Sequence, residues 1–565
     1  MIRPARNLDS ITIKILWDRL VAIVDEATVV QYRTAFSTVV QEANDYACSI
    51  LDRHGNTLAN SQFGLPSFVA TQSITLRAIL SRFPPDQIQP GDIFITNDPW
   101  IGTGQAMDIT VLSPIHKDDR LVAFAGSVAH SPDLGGAQRW NLSTDVFEEA
   151  ILIPPMKLYE KGVRNETLFS LIGANSRLPD LTLGDLEAQL AALRPTTERV
   201  LALMDEYELD DLDQLIEDIF RRSERAMRSA IAAIPDGKYD GQVLMENFGD
   251  PHDDGPRSDI SAVIKASVAK RGSDLVVDFT GSSPQVPGSF NSVATFTEAY
   301  TLYALRYILV PLFPNNAGFY RPIEVRCPPS TVVNARYPSP TLSRHVIGHQ
   351  VANALYAALA PVLQDHVHAQ SGSAPSWDLL LMGEDGSGRP FHRLMIVNGG
   401  TGAGPRTDGF TASFPANIRN TPVELLESLM PVVCECKEVM PNSAGRGRKR
   451  GGFGQRMVFR ATKPIRYSLL NAQTRYPAQG VLGGEAGRPG RAIASGRELL
   501  PCSDGRLDID ERLVIETPGG GGHGRSEERE TELTAADVRD GFFPEPDPAA
   551  TPEMRQLRSE GVLTT

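Results

Sequence analysis

The side chains best equipped for chemistry crowd into one stretch, Gly91–Gly136, where Asn97, Asp98, Gln105, Asp108, His130, Ser131 and Asp133 fall in polar segments between apolar runs. Six of these seven offer oxygen atoms and one offers an imidazole. Carboxylates with one imidazole suit zinc, manganese or iron, and they equally suit proton transfer. Asp98, Asp108, His130 and Asp133 are therefore candidate metal ligands or acid–base groups, although Asn97-Asp98-Pro99 is also an ordinary turn sequence. The runs that must position them, Ile93–Ile95, Ile109–Leu112 and Leu121–Ala125, have strand length and are bounded by Gly, Pro and Asp. Loops at strand ends are where a rigid scaffold presents functional groups.

A second constellation is RHVIGHQ. His345 and His349 stand four apart and share a helix face, but the glutamate of a zinc-protease HExxH is missing, so packing beside a polar cavity is the preferred reading. Arg344 beside them can grip a carboxylate with two parallel hydrogen bonds. His366 and His368 read as surface or loop. Three glycine clusters, Gly399–Gly404, Gly451–Gly454 and Gly519–Gly524, fit neither a phosphate-binding P-loop nor a dinucleotide fingerprint and read as tight turns. No Gly-x-Ser-x-Gly elbow occurs, and Cys48 has no local activating sequence.

Around these lie the elements. Asp9 or Ser10 can cap a helix that begins a helical region through Ala43, with a second helix over Val30–Val40. A hairpin follows, Tyr46–Leu51 with Thr57–Ala59, and then a helix over Pro66–Phe83. Residues 168–234 are mostly helical, with Leu215, Ile216 and Ile219 on one face. Strands Ile260–Ala266 and Leu275–Phe279, a helix over Phe296–Val310, a short strand at Val332–Val333 and a helix over Ser343–Leu363 come next. Further strands are expected at Leu379–Met382, Leu394–Val397, Met457–Arg460, Ile465–Leu470 and Leu513–Glu516, and a charged helix near Ala535–Asp540. Strands and helices come in blocks without a fixed repeat, which gives an α+β, mixed α/β class. The organisation reads as an N-terminal α/β region (1–165) holding the candidate metal site, a helical region (166–235), a central α/β region (236–420), a glycine-rich β region (421–540) and a tail (541–565).

The 565 residues carry a net charge of −14, which argues against nucleic-acid binding. The basic run Arg446–Arg450 sits among glycines and reads as a solvated loop or a contact for a phosphate-bearing ligand or an acidic partner. No apolar run is long enough to span a membrane and the start does not read as a signal peptide. Five cysteines, few and odd in number, fit a reducing cytosol. Cys434 and Cys436 would face one side of a strand as buried structural residues.

Taken together, NDPWIGTGQAMDITVLSPI, VAHSPDLGG, DFTGSSPQVPGSFN, VNARYPSPTLSRH, NTPVELLES, PNSAGRGRKRGGFGQR and PGGGGHG resemble the hydantoinase B family, which covers the B components of ATP-dependent hydantoinases, 5-oxoprolinases and related ketone carboxylase components. The resemblance implies a cytoplasmic hetero-oligomer in which a hydantoinase A-type, ATP-binding subunit activates a cyclic amide, and in which this chain opens the ring. A ketone carboxylase component and a non-catalytic structural component are the alternatives. It also implies a divalent metal (zinc, manganese or iron) held by Glu42, Gln105, Asp108 and His130, with Asp98, Asp133 and Arg344 as catalytic groups. The chain departs from the family pattern where histidines are usual: Phe68, Gln105 and Ser131 stand in their places.

Overall fold

The computed structural model of the protein describes residues 8–544 apart from 138–139, 141–142, 247–261 and 386. Ile260 and the tail beyond 544 lie outside the described residues. The architecture is mixed α and β, with four sheets among the described residues. The first sheet carries the polar stretch. Its strands are β1 (Tyr46–Asp52), β2 (Thr57–Asn60), β3 (Ile93–Thr96), β4 (Asp108–Lys117), β5 (Arg120–His130), β6 (Met156–Glu160) and β7 (Val163–Arg164), in the order β2-β1-β5-β4-β3-β6-β7. All neighbours run antiparallel. Asp118 and Asp119 close the β4–β5 hairpin with φ of 47° and 62°, the left-handed pair that matches strand twist in a two-residue turn.

Both faces of the β1–β5–β4 centre are buried, so these strands read as apolar runs and the sheet is covered by helices on each side. The first helix, Ser10–Thr34, starts where Asp9 accepts from the backbone N–H groups of Ile11 and Thr12. It stops at Thr34, and the expected second helix shrinks to one turn, Thr38–Gln41, capped by Ser37. Gln189 of the long Pro179–Glu206 helix donates to the Ile109 carbonyl on one face. Gln72 of the Pro66–Arg82 helix donates to the Ala47 carbonyl. In the Asp213–Ala232 helix, Leu215, Ile216, Ile219, Phe220, Met227 and Ile231 form the buried stripe that their spacing predicts.

The second sheet (Gly237–Met245, Ala262–Arg271, Asp274–Asp278, Ile323–Arg326) packs with the Ala294–Leu309 and Arg344–Leu359 helices into the same large core. Val332–Val333 forms no strand; Thr331 makes only isolated bridges. Two further sheets enclose a second core around Trp377, Leu379, Phe459 and Leu469. The Cys434–Cys436 alternation is broken by a bulge that shifts the register, and Cys434 Sγ turns to the Cys436 carbonyl.

The glycine clusters are not tight turns. They lie against one another as a layer of extended segments cross-linked by backbone hydrogen bonds: Gly400 N to the Pro518 carbonyl, Gly452 N to Thr401, Gly520 N to Gly452 and Ala403 N to Gly521. A Cβ on Gly400 would sit 1.8 Å from the Gly452 carbonyl oxygen, and one on Gly520 would sit 1.9 Å from that of Thr401. At Gly400 and Gly520 close approach of backbones, not a left-handed φ, selects glycine, whereas Gly524 has a φ of 70°. The basic run is spent inside the molecule. Arg450 pairs with Asp537 at 3.0 Å and Lys449 with Glu530 at 3.2 Å, so the C-terminal helix Thr531–Arg539 and the residue before it are the acidic partner.

Candidate active site

Sheet order builds the centre of the site. Tyr46 of β1 pairs with Ala129 of β5, and Asp108 of β4 pairs with His130 of β5. Asp45, His130 and Asp108 therefore stand side by side across three neighbouring strand ends, within the cross-strand spacing at which side chains meet. Asn44 turns the chain into β1 with φ of 61°, a conformation asparagine tolerates. His130 Nδ1 lies 2.9 Å from Asp108 Oδ1 and 3.9 Å from Asp45 Oδ2. Asp108 Oδ2 accepts from Thr103 Oγ1 and from Arg344 Nη2, both at 2.6 Å.

Arg344 arrives from the opposite side, at the first turn of the Arg344–Leu359 helix, where the helix dipole disfavours a cation. Asp108 compensates it. The guanidinium also donates from Nε to the Thr103 carbonyl at 2.8 Å and lies over the Phe296 ring at 4.3 Å, with Phe68 at 5.8 Å. The turn before this helix is pinned by Glu149, whose buried carboxylate accepts from Thr341 N, Leu342 N and Ser289 Oγ. Burial pushes the Glu149 carboxyl up to about 7 against those three hydrogen bonds. A raised acid favours folding most below its unfolded value near 4.5, and that advantage declines as pH rises through 7. The stability of the wild type, read from urea unfolding, should therefore fall more between pH 5 and 7 than that of Glu149→Gln, by about 2 kcal/mol. Parallel pH profiles would contradict this.

Two chambers that share wall residues lie beside these groups. The inner one, about 50 Å³, is lined by Asp45, Gln105, His130, Arg344, His345, His349, Ser376 and Asp378 together with aromatic residues. The outer one, about 180 Å³, shares Leu65, Tyr300, His349 and Phe414 with it and adds Tyr303, Tyr307, Tyr356, His368 and Phe410. His345 Nε2 lies 3.2 Å from Asp378 Oδ2 but is not aligned as a hydrogen bond, and Ser376 Oγ donates to Asp378 Oδ1 at 2.9 Å. Burial and the charges of His345 and Arg344 hold His349 well below the ordinary imidazole range. Its Nδ1 is buried and makes no hydrogen bond.

Burial, reinforced by the charges of Asp108 and Asp378, pushes the Asp45 carboxyl up to about 6 although His130 and Arg344 pull it down. Burial opposes charge on Asp108 as well, but Arg344, His130 and Thr103 hold it below the usual carboxylate range. For His130, burial is outweighed by the hydrogen bond and charge of Asp108 and by Asp45, so its affinity for protons rises. Two neighbouring carboxylates are thus driven apart, one toward neutral pH and one firmly ionised, the separation that assigns different acid–base roles to like groups.

The residues singled out in the sequence divide. His130, Gln105 and Arg344 line the inner chamber, and so do His345 and His349, whose spacing alone favours packing; Asp108 stands behind the wall and bonds Arg344 and His130. Asp98 is not part of its wall; its Oδ1 accepts from Trp100 N at 2.9 Å and burial raises its carboxyl. With Asn97, which bonds the Ala106, Ile151 and Ile153 backbones, it shapes the loop that carries Thr103 and Gln105. Asp133 is fully buried against Arg177, 2.9 Å from its Nη1, and accepts from Gly135 N. Glu42 ends the one-turn helix Thr38–Gln41, half-buried and outside both chamber walls. His368 lines the outer chamber, where burial lowers it to about 4. His366 is exposed. Asp45, Ser376 and Asp378 are the groups that sequence reasoning misses. The one available signal is the position of Asp45 immediately before an apolar strand; Asp378 comes from a different sheet.

As arranged, Glu42, Gln105, Asp108 and His130 do not fit a divalent metal. Glu42 stands apart, and both Asp108 oxygens are engaged by protein donors. Among the described residues no group of three or more His, Cys, Asp and Glu side chains is placed to hold a metal ion.

An antiparallel sheet whose strand ends present an Asp–His–Asp row thus faces a helix that presents arginine and two histidines, with a small buried chamber between them. Residues 9–526 match the hydantoinase B/oxoprolinase family, and the chain belongs to that family. It is 28% identical over 560 residues (95% of this chain and 94% of the relative) to the assigned B component of a D-/L-hydantoinase from Pseudomonas sp. (strain NS671). It is 27% identical over 562 residues (95% and 94%) to the β component of the caprolactamase of Pseudomonas jessenii. The crystal structure of the ATP-dependent caprolactamase from Pseudomonas jessenii superposes with a TM-score of 0.88 at 25% identity, covering 99% of this chain and 100% of that one. No helix among the described residues is long and apolar enough to cross a membrane.

Proposed function

We propose that this chain is the ring-opening component of an ATP-dependent cyclic amide hydrolase, acting on a hydantoin, lactam or 5-oxoproline-like ring that a separate ATP-binding subunit of the hydantoinase A type activates. The observation that carries this is the inner chamber, where Asp45 and His130 are placed to exchange protons beside a second chamber that four tyrosines help to line. The family membership supports the reaction class, and the names of the relatives, as components of larger enzymes, support a partner. A cytoplasmic hetero-oligomer follows from the same reading.

An amide carbonyl is a poor electrophile, so water adds readily only after its oxygen has been activated. At the activated carbon, Asp45 in its carboxylate form takes the proton of the attacking water; C–N cleavage then leaves the activating group on the new carboxyl oxygen, from which a second water releases it. His130, held in position by Asp108, gives a proton to the departing ring nitrogen. His349, neutral and with its Nδ1 unpartnered, hydrogen-bonds the ring amide at the junction of the chambers. Tyr300, Tyr303, Tyr307 and Tyr356 offer flat apolar surface with polar edges, which suits an uncharged ring.

The test uses the chain co-expressed with its ATP-binding partner, with ring-opened product and released ADP measured together. Asp45→Asn and His130→Gln should each lower product formation by about 10²–10⁴-fold. ATP turnover that needs bicarbonate and a ketone, and is indifferent to lactams and hydantoins, would replace this reading with a carboxylase.

A further inference from the structure

We infer that the guanidinium of Arg344 takes the cation position offered by Asp108, His130 and Gln105, so that an internal organic cation, not a divalent metal, organises this chamber. Three observations converge on it. First, both oxygens of the Asp108 carboxylate are engaged: Oδ1 faces His130 Nδ1 at 2.9 Å, and Oδ2 faces Arg344 Nη2 and Thr103 Oγ1 at 2.6 Å each. A metal ion entering there competes with the imidazole for Oδ1 and with the guanidinium for Oδ2. A displaced guanidinium has nowhere wet to go, because Arg344 is only 4% exposed.

Second, the walls around the guanidinium are those of an organic cation. Its central carbon lies 4.3 Å from the Phe296 ring centre and 5.8 Å from that of Phe68. Aromatic faces attract a planar, weakly hydrated guanidinium, whereas a small dication needs oxygen or nitrogen donors on those sides. Third, the backbone is built to receive it. The Thr103 carbonyl accepts the Arg344 Nε proton at 2.8 Å, and Gly104, next in the chain, lies against the arginine: a Cβ there would come within 3.3 Å of Arg344 Cδ. Phe68 and Gln105, where the family resemblance implies histidines, then belong to one arrangement. Phe68 supplies a ring to the guanidinium, and Gln105 is a neutral side chain beside a site that already holds its cation.

The consequence for the reaction is that the positive charge facing the chamber is fixed and hydrogen-bonded in place, independent of metal supply. Arg344 is here a positioning residue: it holds Asp108, which holds His130.

Metal content of the co-expressed complex, measured by inductively coupled plasma mass spectrometry after purification without chelators, tests the inference. The readout is separate from turnover, so its failure and the failure of the ring-opening reading are distinguishable. Zinc, manganese and iron should all be well below one equivalent per chain, and adding manganese or zinc should leave the unfolding temperature unchanged. The double variant Gln105→His with Arg344→Ser should gain close to one equivalent, and adding Asp108→Asn should remove it again. One equivalent in the wild type, lost in Asp108→Asn, would overturn the inference. So would a folded double variant that takes up no metal. Should the double variant not fold, the wild-type metal content and thermal response decide the question alone.

Discussion

Asp108→Ala is expected to destabilise the protein by about 3–5 kcal/mol, because it strands the Arg344 guanidinium as an uncompensated charge in a buried site. Both partners are nearly inaccessible, so solvent screening offers little relief. The informative comparison is the double variant Asp108→Ala with Arg344→Met. Removing both charges and keeping apolar volume should restore most of the loss, since buried pairs are often replaceable by hydrophobic groups at little cost. Thermal unfolding of the four proteins (wild type, two singles, one double) measures the coupling. A double variant no more stable than Asp108→Ala would mean that the partner of Asp108 is not Arg344.

The second large effect falls on the glycine layer. Gly520→Ala places a methyl carbon 1.9 Å from the Thr401 carbonyl oxygen, and Gly400→Ala places one 1.8 Å from that of Gly452. The neighbours are backbone, cross-linked to further backbone, and cannot swing aside as a side chain would. The expected result is loss of soluble folded protein, a penalty beyond about 4–5 kcal/mol. Gly173→Ala is the control. It lies within the Glu166–Ala174 helix, its nearest contact is the flexible Leu183 Cδ1 at 3.3 Å, and alanine favours helix by up to about 1 kcal/mol. Comparable soluble yields for Gly520→Ala and wild type would refute the close-packed layer.

Both cases mark how far local sequence reaches. Asp108 and His130 announce themselves as isolated polar residues at the ends of apolar strands, and the mixed α/β class follows from blocks of period-2 and period-3.6 patterning. Asp45 does not, because its role depends on β1 lying beside β5, a pairing that no local pattern encodes. Arg344 reads locally as an anion binder, yet its anion is Asp108, 236 positions away in the chain. His345 and His349 read as packing because i, i+4 histidines without a glutamate have no local partner; Asp378, from a separate sheet, stands beside the first of them. The glycine clusters read as turns when each is weighed alone. Their packing is mutual, and mutual packing between distant segments leaves no trace within any one of them.

Ring opening in this chamber is tested most directly by the amount of ring-opened product formed per ATP consumed by the co-expressed complex carrying Asp45→Asn. ATP consumption should continue, since the proposal assigns activation to the partner, with product reduced by about 10²–10⁴-fold. Unchanged product formation in Asp45→Asn and in His130→Gln would contradict the proposed roles and would move the ring-opening chemistry out of this chamber.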